Sequence, residues 1–299
     1  LIGSCLLEIL ARKDIEGCNL FALGRNRDKF LQRFGADSGK ISFIEADVTA
    51  ALPCNCRFDY IFDLAGAASP DLYSTAPVDV MNSNYLGLDN LLRYATGHGT
   101  RKLLFVSSGE VYGEGDGNAV REDYSGKIAF TGLRSCYPSA KRACETLCIA
   151  YSHQYGIEVS IARPCHVYGP HFSEKDTRVY AQFIRNAREG RDIVMKSEGR
   201  QFRSWCYVVD CASALLYIML NGSDRAAYNI ADESSNITIA ELAAITAEAA
   251  GTKTVFELPD EVEKRGYSKI QKAVFDTSAL RELGWEPRTC IKEGIRKSI

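Results

Sequence analysis

Tyr137-Pro-Ser-Ala-Lys141 sets a phenol and an ammonium four residues apart, with a proline behind the tyrosine. Proline suits the first position of a helix, and residues four apart share a helix face. A neighbouring ammonium favours phenolate and lowers a tyrosine's pKa. A phenol tuned that way can take a proton from an alcohol. A surface Tyr and Lys at a common spacing is the plain alternative, so other residues have to concur. Phe105-Val-Ser-Ser108-Gly-Glu110-Val-Tyr-Gly113 does. Ser107 and Ser108 follow an apolar run and offer hydroxyls, and Glu110 offers a carboxylate for proton transfer once desolvated. Its plain alternative is a strand-end turn with a solvated acid.

The elements that position these residues alternate. Short apolar runs at 19–23, 41–46, 60–64, 102–107 and 159–163 read as strands buried on both faces. Helical patterns at 4–12, 27–34, 78–96 and 138–155 lie between them. The alternation predicts an α/β fold with a doubly wound parallel sheet, whose ligands bind beyond the carboxyl ends of the strands. Asp47, Leu64, Ala65 and Gly66 fall at such ends, where small residues let a ligand approach the backbone. Gly3 opens the first helix, where a pyrophosphate would meet free amides. The second half is less regular. It predicts helices over 176–190, 210–221, 238–250 and 276–283, strands over 193–195 and 227–230, and a further apolar stretch at 204–208.

Composition bounds the function. The chain has 299 residues, 46% hydrophobic and 25% charged, with a net charge of −2. These values exclude a disordered or collagenous chain. Without a basic excess, a nucleic-acid backbone is not the expected partner. No apolar run has the length of a membrane span. Eleven scattered cysteines, none in a Cys-x-x-Cys pair, read as free thiols in a reducing cytoplasm, with no metal site expected.

In order along the chain, Leu1-Ile2-Gly3-Ser4, Ala46-Asp47-Val48, Asp63-Leu64-Ala65-Gly66, Ser107-Ser108-x-Glu110, Tyr137-x-x-x-Lys141 and Arg163-Pro-Cys-His166-Val-Tyr168-Gly-Pro170 resemble one family. It is the extended short-chain dehydrogenase/reductase family of NAD(P)-dependent nucleotide-sugar epimerases, dehydratases and decarboxylases. The nearest likeness is to its UDP-glucuronate decarboxylase branch. That likeness rests on Ala68-Ser-Pro-Asp-Leu-Tyr73-Ser-Thr-Ala-Pro77, Arg134-Ser-Cys-Tyr137, Asp176-Thr-Arg178-Val and Gly199-Arg-Gln-Phe-Arg203-Ser. The chain starts at Leu1 rather than Met, and the resemblance implies a strand and the front of a glycine-rich loop before it.

The resemblance implies a Rossmann-like domain at 1–170, joined again by 203–233. A smaller mixed α/β substrate domain would comprise 171–202 and 234–299. It implies catalysis by Tyr137, Lys141, Ser108 and Glu110 through a transient 4-keto sugar. The cofactor would lie against Gly3, Arg25, Asp47, Val48, Leu64, Ala65, Gly66, Ser107, Tyr137, Lys141, Pro164 and Val167. The nucleotide-diphosphate sugar, expected to be UDP-linked, would meet Tyr73, Ser108, His166, Arg178 and Arg203. A homodimer through a four-helix bundle is implied as well. NAD is the expected cofactor because a redox-neutral cycle retains it. Arg25 leaves NADP open, since it stands near where NAD-binding relatives usually place an aspartate. Gly109 stands where dehydratases carry an acid and decarboxylases a serine, so 4-epimerisation or reduction, and 4,6-dehydration, remain alternatives. A non-enzymatic NAD(P)-binding regulator is a further one.

Overall fold

The computed structural model describes residues 1–13, 15–257 and 270–299. The stretch 258–269 of the expected substrate-side segment therefore lies outside the described residues. Along the chain run α1 (Ile2–Lys13), β1 (Leu20–Gly24), α2 (Arg27–Phe34), β2 (Ile41–Glu45), β3 (Tyr60–Asp63), α3 (Leu72–Thr75), α4 (Pro77–His98) and β4 (Lys102–Val106). Then come α5 (Cys136–Tyr155), β5 (Glu158–Pro164), β6 (His166–Tyr168), α6 (Val179–Arg188), β7 (Ile193–Met195), β8 (Phe202–Tyr207) and α7 (Val208–Asn221). The remainder is β9 (Ala226–Ile230), β10 (Asp232–Thr238), α8 (Ile239–Ala250), β11 (Thr254–Phe256), β12 (Lys272–Ala273), α9 (Ser278–Glu282) and α10 (Ile291–Ser298).

Strands β3, β4, β5 and β9 form one parallel sheet in the order β3-β4-β5-β9. Residues alternate between its faces. Leu104, Val106 and Ala162 pack with Leu6 of α1 and with Ala212, Leu215 and Ile218 of α7. Leu103, Phe105, Val159 and Ile161 pack instead with Leu88 and Leu92 of α4 and with Cys144 and Cys148 of α5. A helical layer thus covers each face, which is why these strands carry no polar alternation. Each large side chain fully buried there contributes roughly 2 kcal/mol.

Among the described residues the parallel strands β1 and β2 pair with each other, Leu20 opposite Ile41 and Gly24 opposite Glu45. One expectation is corrected: the helix expected over 176–190 begins at Val179. The Asp176 carboxylate accepts the Arg178 N–H at 3.0 Å, and Arg178 stays extended as the helix cap.

The carboxyl-terminal half builds a second, mixed sheet around β8. Strands β6 and β12 run parallel to β8, and β10 runs antiparallel to it. Strand β7 pairs separately with β11. Helix α8 starts at a capping box in which Thr238 and Glu241 satisfy each other's amides.

Candidate active site

The strand ends place small and polar residues around one opening. Asp63 ends β3, and its carboxylate accepts the Ala65 N–H at 3.0 Å. Gly66 has φ 134°, and a Cβ there would stand 2.4 Å from Asn84 Oδ1, so only glycine fits. Asn84 donates to Val80 O at 2.7 Å, yet its Oδ1 is buried without a partner. Ser107, beyond β4, donates its backbone N–H to Ala162 O at 2.7 Å, and its Oγ is also buried without a partner. Buried polar atoms are nearly always hydrogen-bonded, so these two mark places for a ligand.

Gly3 lies in α1, and a Cβ there would be in ordinary contact with Leu64 at 3.6 Å. At the ends of β1 and β2, Arg25 faces Asp47 at 3.6 Å on exposed surface. Hydrogen bonds from Thr49 hold the Asp47 carboxyl below its ordinary range. Val48 is buried after β2, Pro164 at the end of β5 and Val167 in β6.

Tyr137 sits in the first turn of α5 and is buried. Ser108, beyond the end of β4, acts to lower its pKa. The Ser108 Oγ also accepts the Glu110 N–H at 3.2 Å. Tyr73 lies parallel to Tyr137, ring centroids 5.1 Å apart and planes 15° from parallel. The Lys141 ammonium donates to Val106 O at 2.9 Å and lies 5.9 Å from the centre of the Tyr137 ring. Burial pushes the Tyr137 phenol up to about 12, with Ser108 and the charge of Arg178 opposing the rise. Burial lowers the Lys141 pKa, with Asp63 opposing. Burial pushes Asp63 up to about 6, opposed by Lys141 and by the Ala65 amide.

Glu110 is bridged by Arg134 at 2.8 Å, and the guanidinium also lies over the Tyr73 ring at 5.5 Å. Burial raises the Glu110 carboxyl, and Arg134 and Arg203 oppose the rise. Arg203 is 5% exposed and donates to the carbonyls of Phe202, Gln271 and Ile270 at 3.0, 3.1 and 2.5 Å. Among the described residues no carboxylate lies within ion-pair distance of it, and burial pushes it down to about 10. Arg178 is gripped by Asp176 through Nε at 2.9 Å and Nη2 at 2.5 Å.

His166 opens β6 with its ring 5.3 Å from that of Trp205. The residue is exposed at the surface of the protein walls around it. Desolvation by those walls, then the charges of Arg203 and Arg178, push it down to about 4. It is therefore neutral at working pH. Trp205 is fully buried, as core rather than as a stacking platform.

Direct contacts link Tyr137, Tyr73, Arg134, Glu110 and Ser108 in one cluster, and the charges of Arg178 and Arg203 act on its members and on His166. Arg25 and Asp47 stand apart on the β1–β2 sheet. Sequence reasoning missed the parts played by Asp63, Asn84 and Arg134. Asp63 had a signal, an acid closing an apolar run. Arg134 had its place three residues before Tyr137.

The fold and this cluster define a class: the chain belongs to the NAD dependent epimerase/dehydratase family, whose model matches residues 1–231. Among curated relatives, UDP-glucuronic acid decarboxylase 5 of Arabidopsis thaliana is 35% identical over 256 residues, 86% of this chain and 73% of that protein. UDP-glucuronic acid decarboxylase 1 of Xenopus tropicalis is 32% identical over 83% of this chain and 57% of its own length. Among solved structures, UDP-glucose 4-epimerase of Thermotoga maritima, crystallised with UDP-glucose, superposes with TM-score 0.84 at 23% identity, covering 100% of this chain and 94% of that one. The dTDP-glucose 4,6-dehydratase DesIV of Streptomyces venezuelae, a double mutant with NAD bound, gives 0.82 at 21% identity, covering 99% and 92%. These structures share the fold.

Proposed function

We propose that this protein is an NAD-dependent decarboxylase of UDP-glucuronate. One observation carries the reading: Tyr137 stacks on Tyr73, Arg134 lies over that ring and bridges Glu110 beside Ser108, and the charges of Arg178 and Arg203 act on this cluster. The relatives named UDP-glucuronic acid decarboxylase support the choice of substrate.

The residues present fit NAD. The unpartnered Ser107 Oγ and Asn84 Oδ1 and the glycine-only cradle at Gly66 line its side of the opening. Arg25, Asp47, Val48, Leu64, Ala65, Gly66, Ser107, Lys141, Pro164 and Val167 would hold it, with Gly3 at the head of α1. Bound NAD supplies the oxidising equivalent that turns the sugar's C4 hydroxyl into a ketone and later takes it back.

The protein's own groups do the rest. Tyr137 accepts the C4 hydroxyl proton once it has given up its own to solvent, a phenolate form that the Lys141 ammonium and the positive nicotinamide of bound NAD would favour, and Ser108 holds the C4 oxygen in place. In a 4-keto glucuronate the carboxylate is β to the ketone. The C5–C6 bond breaks, its electrons move to the C4 oxygen and carbon dioxide leaves. Tyr137 and Ser108 then hydrogen-bond the enolate oxygen, where the charge develops. Glu110 stands beside them as the acid or base for C5. Arg203 is the better diphosphate group, since among the described residues its partners are carbonyls, whereas Arg178 shares its charge with Asp176. Tyr73 and His166 wall the sugar, and neutral His166 can donate one hydrogen bond.

The same reading assigns 1–170 and 203–233 to the cofactor side, and 171–202 and 234–299 to the nucleotide-sugar side. Val78, Met81 and Tyr85, exposed at helical spacing on α4, support a homodimer through a bundle of α4 and α5. Eleven free thiols support a cytoplasmic setting. The test is incubation with NAD and either UDP-glucuronate or UDP-glucose, followed by proton NMR. Conversion of the acidic sugar to a UDP-pentose or its 4-keto form is expected. Turnover of UDP-glucose alone would overturn the reading.

A further inference from the structure

Gly109, between Ser108 and Glu110, is closed off by one ring. A Cβ on residue 109 would stand 2.0 Å from Phe275 Cζ and 2.6 Å from Cε2, well inside van der Waals contact. The backbone does not demand glycine here, since Gly109 is not among the glycines with positive φ. The obstacle is the ring, and the ring is fixed. Phe275 is 4% exposed, packs with Val111, Val120 and Ala231, and meets the Tyr112 ring edge-on at 5.5 Å. Its backbone N–H donates to Ser204 Oγ at 3.0 Å. The segment bearing it begins beside Arg203, which donates to Ile270 O and Gln271 O and pairs with Ala273 in the β12–β8 ladder.

We propose that Phe275 is a specificity-determining residue, its ring taking the side-chain position of residue 109. The space beside Glu110 then holds an apolar edge in place of a hydroxyl or carboxyl. The consequence rests on the proposed function above. A 4-keto intermediate that loses carbon dioxide sends its electrons into its own ketone and needs no acid for a departing group. Expelling a C6 hydroxyl does need one. With residue 109 held to glycine, that position supplies no such acid, and the branch is biased toward carbon dioxide loss.

The test is a double-mutant cycle of Gly109→Ser and Phe275→Ala, with Phe275→Leu as a second background because the ring is buried. Melting temperature of the NAD-loaded protein and carbon dioxide release from UDP-glucuronate are read across pH. Gly109→Ser alone is expected to lower the melting temperature and cut turnover about tenfold or more. In either Phe275 background it should cost little. The acid limb of kcat should also move to lower pH there, because a hydroxyl now donates to Glu110, a shift that repacking alone does not produce. The other titratable and charged groups acting on Glu110 are Arg134, Arg203, Tyr73, Tyr137 and Cys136. Equal losses from Gly109→Ser in every background would overturn the proposal, as would an unmoved acid limb. If wild type releases no carbon dioxide, the decarboxylase reading fails, and the melting temperatures still decide whether ring and side chain compete.

Discussion

Lys141 is anchored on the carbonyl of Val106 and not on the Tyr137 hydroxyl. Its ammonium lies 2.9 Å from that oxygen and 5.9 Å from the centre of the tyrosine ring. The sheet sets this geometry. Asp63 on β3 is in register with Phe105 on β4, and the ammonium rests 4.5 Å from the centre of the Phe105 ring. Lys141 is thus held between an acid, a carbonyl and an aromatic face, one turn along α5 from the group it was expected to activate.

The Tyr137 phenol, pushed up to about 12 by burial, should give no phenolate absorbance below about pH 10 in the cofactor-free protein. The difference spectrum of wild type minus Tyr137→Phe reads this directly. A transition near neutrality would mean that Lys141 already acts on it. The same variant should lose roughly 10²–10⁴ in turnover while keeping its fold.

Arg134 opposes the burial that raises Glu110. Removing that cation in Arg134→Ala should push the carboxyl higher still. The acid limb of kcat/KM should therefore move to higher pH wherever ionised Glu110 is the active form. An unchanged pH profile would deny Glu110 a place in catalysis.

His166 titrates near 4 when folded, against about 6.5 in an unfolded chain. Between those values the unfolded chain binds the proton first, so stability is lost as pH falls from about 6.5 toward 4. Above that window the histidine is neutral in both states and adds no pH dependence. His166→Asn should flatten the fall in melting temperature across the window. Parallel curves for the two proteins would contradict the assignment.

Arg163 makes a two-pronged pair with Glu145, at 2.9 and 2.7 Å, with both side chains 12% exposed. It also holds the Tyr112 hydroxyl at 3.0 Å and Glu122 O at 2.7 Å. Glu145→Ala leaves that guanidinium charged and buried, which should cost about 3–5 kcal/mol. Chemical denaturation measures it, and a loss under about 1 kcal/mol would show the pair to be solvated.

The parallel strands were readable because their apolar runs are buried on both faces, and α5 because Pro138 suits a helix start. The mixed sheet was not. Strand β10 reads Asp-Glu-Ser-Ser-Asn-Ile-Thr, with no apolar alternation, and pairs with residues some thirty positions away in β8. The spacing of Tyr137 and Lys141 predicted a shared helix face. It carried no information about Asp63 and Val106, which decide where the ammonium rests. Gly109 was visible in the sequence as a missing side chain, but Phe275, which closes the space, is distant along the chain and carries no motif.

The most direct test follows one carbon. UDP-glucuronate labelled with carbon-13 at C6 is incubated with the protein and NAD, and the label is traced in gas and nucleotide. The account predicts one labelled carbon dioxide for each nucleotide sugar consumed, with the remaining UDP-pentose or UDP-4-keto-pentose unlabelled. Label retained in a six-carbon UDP-uronate of inverted C4 would contradict it and make the protein an epimerase.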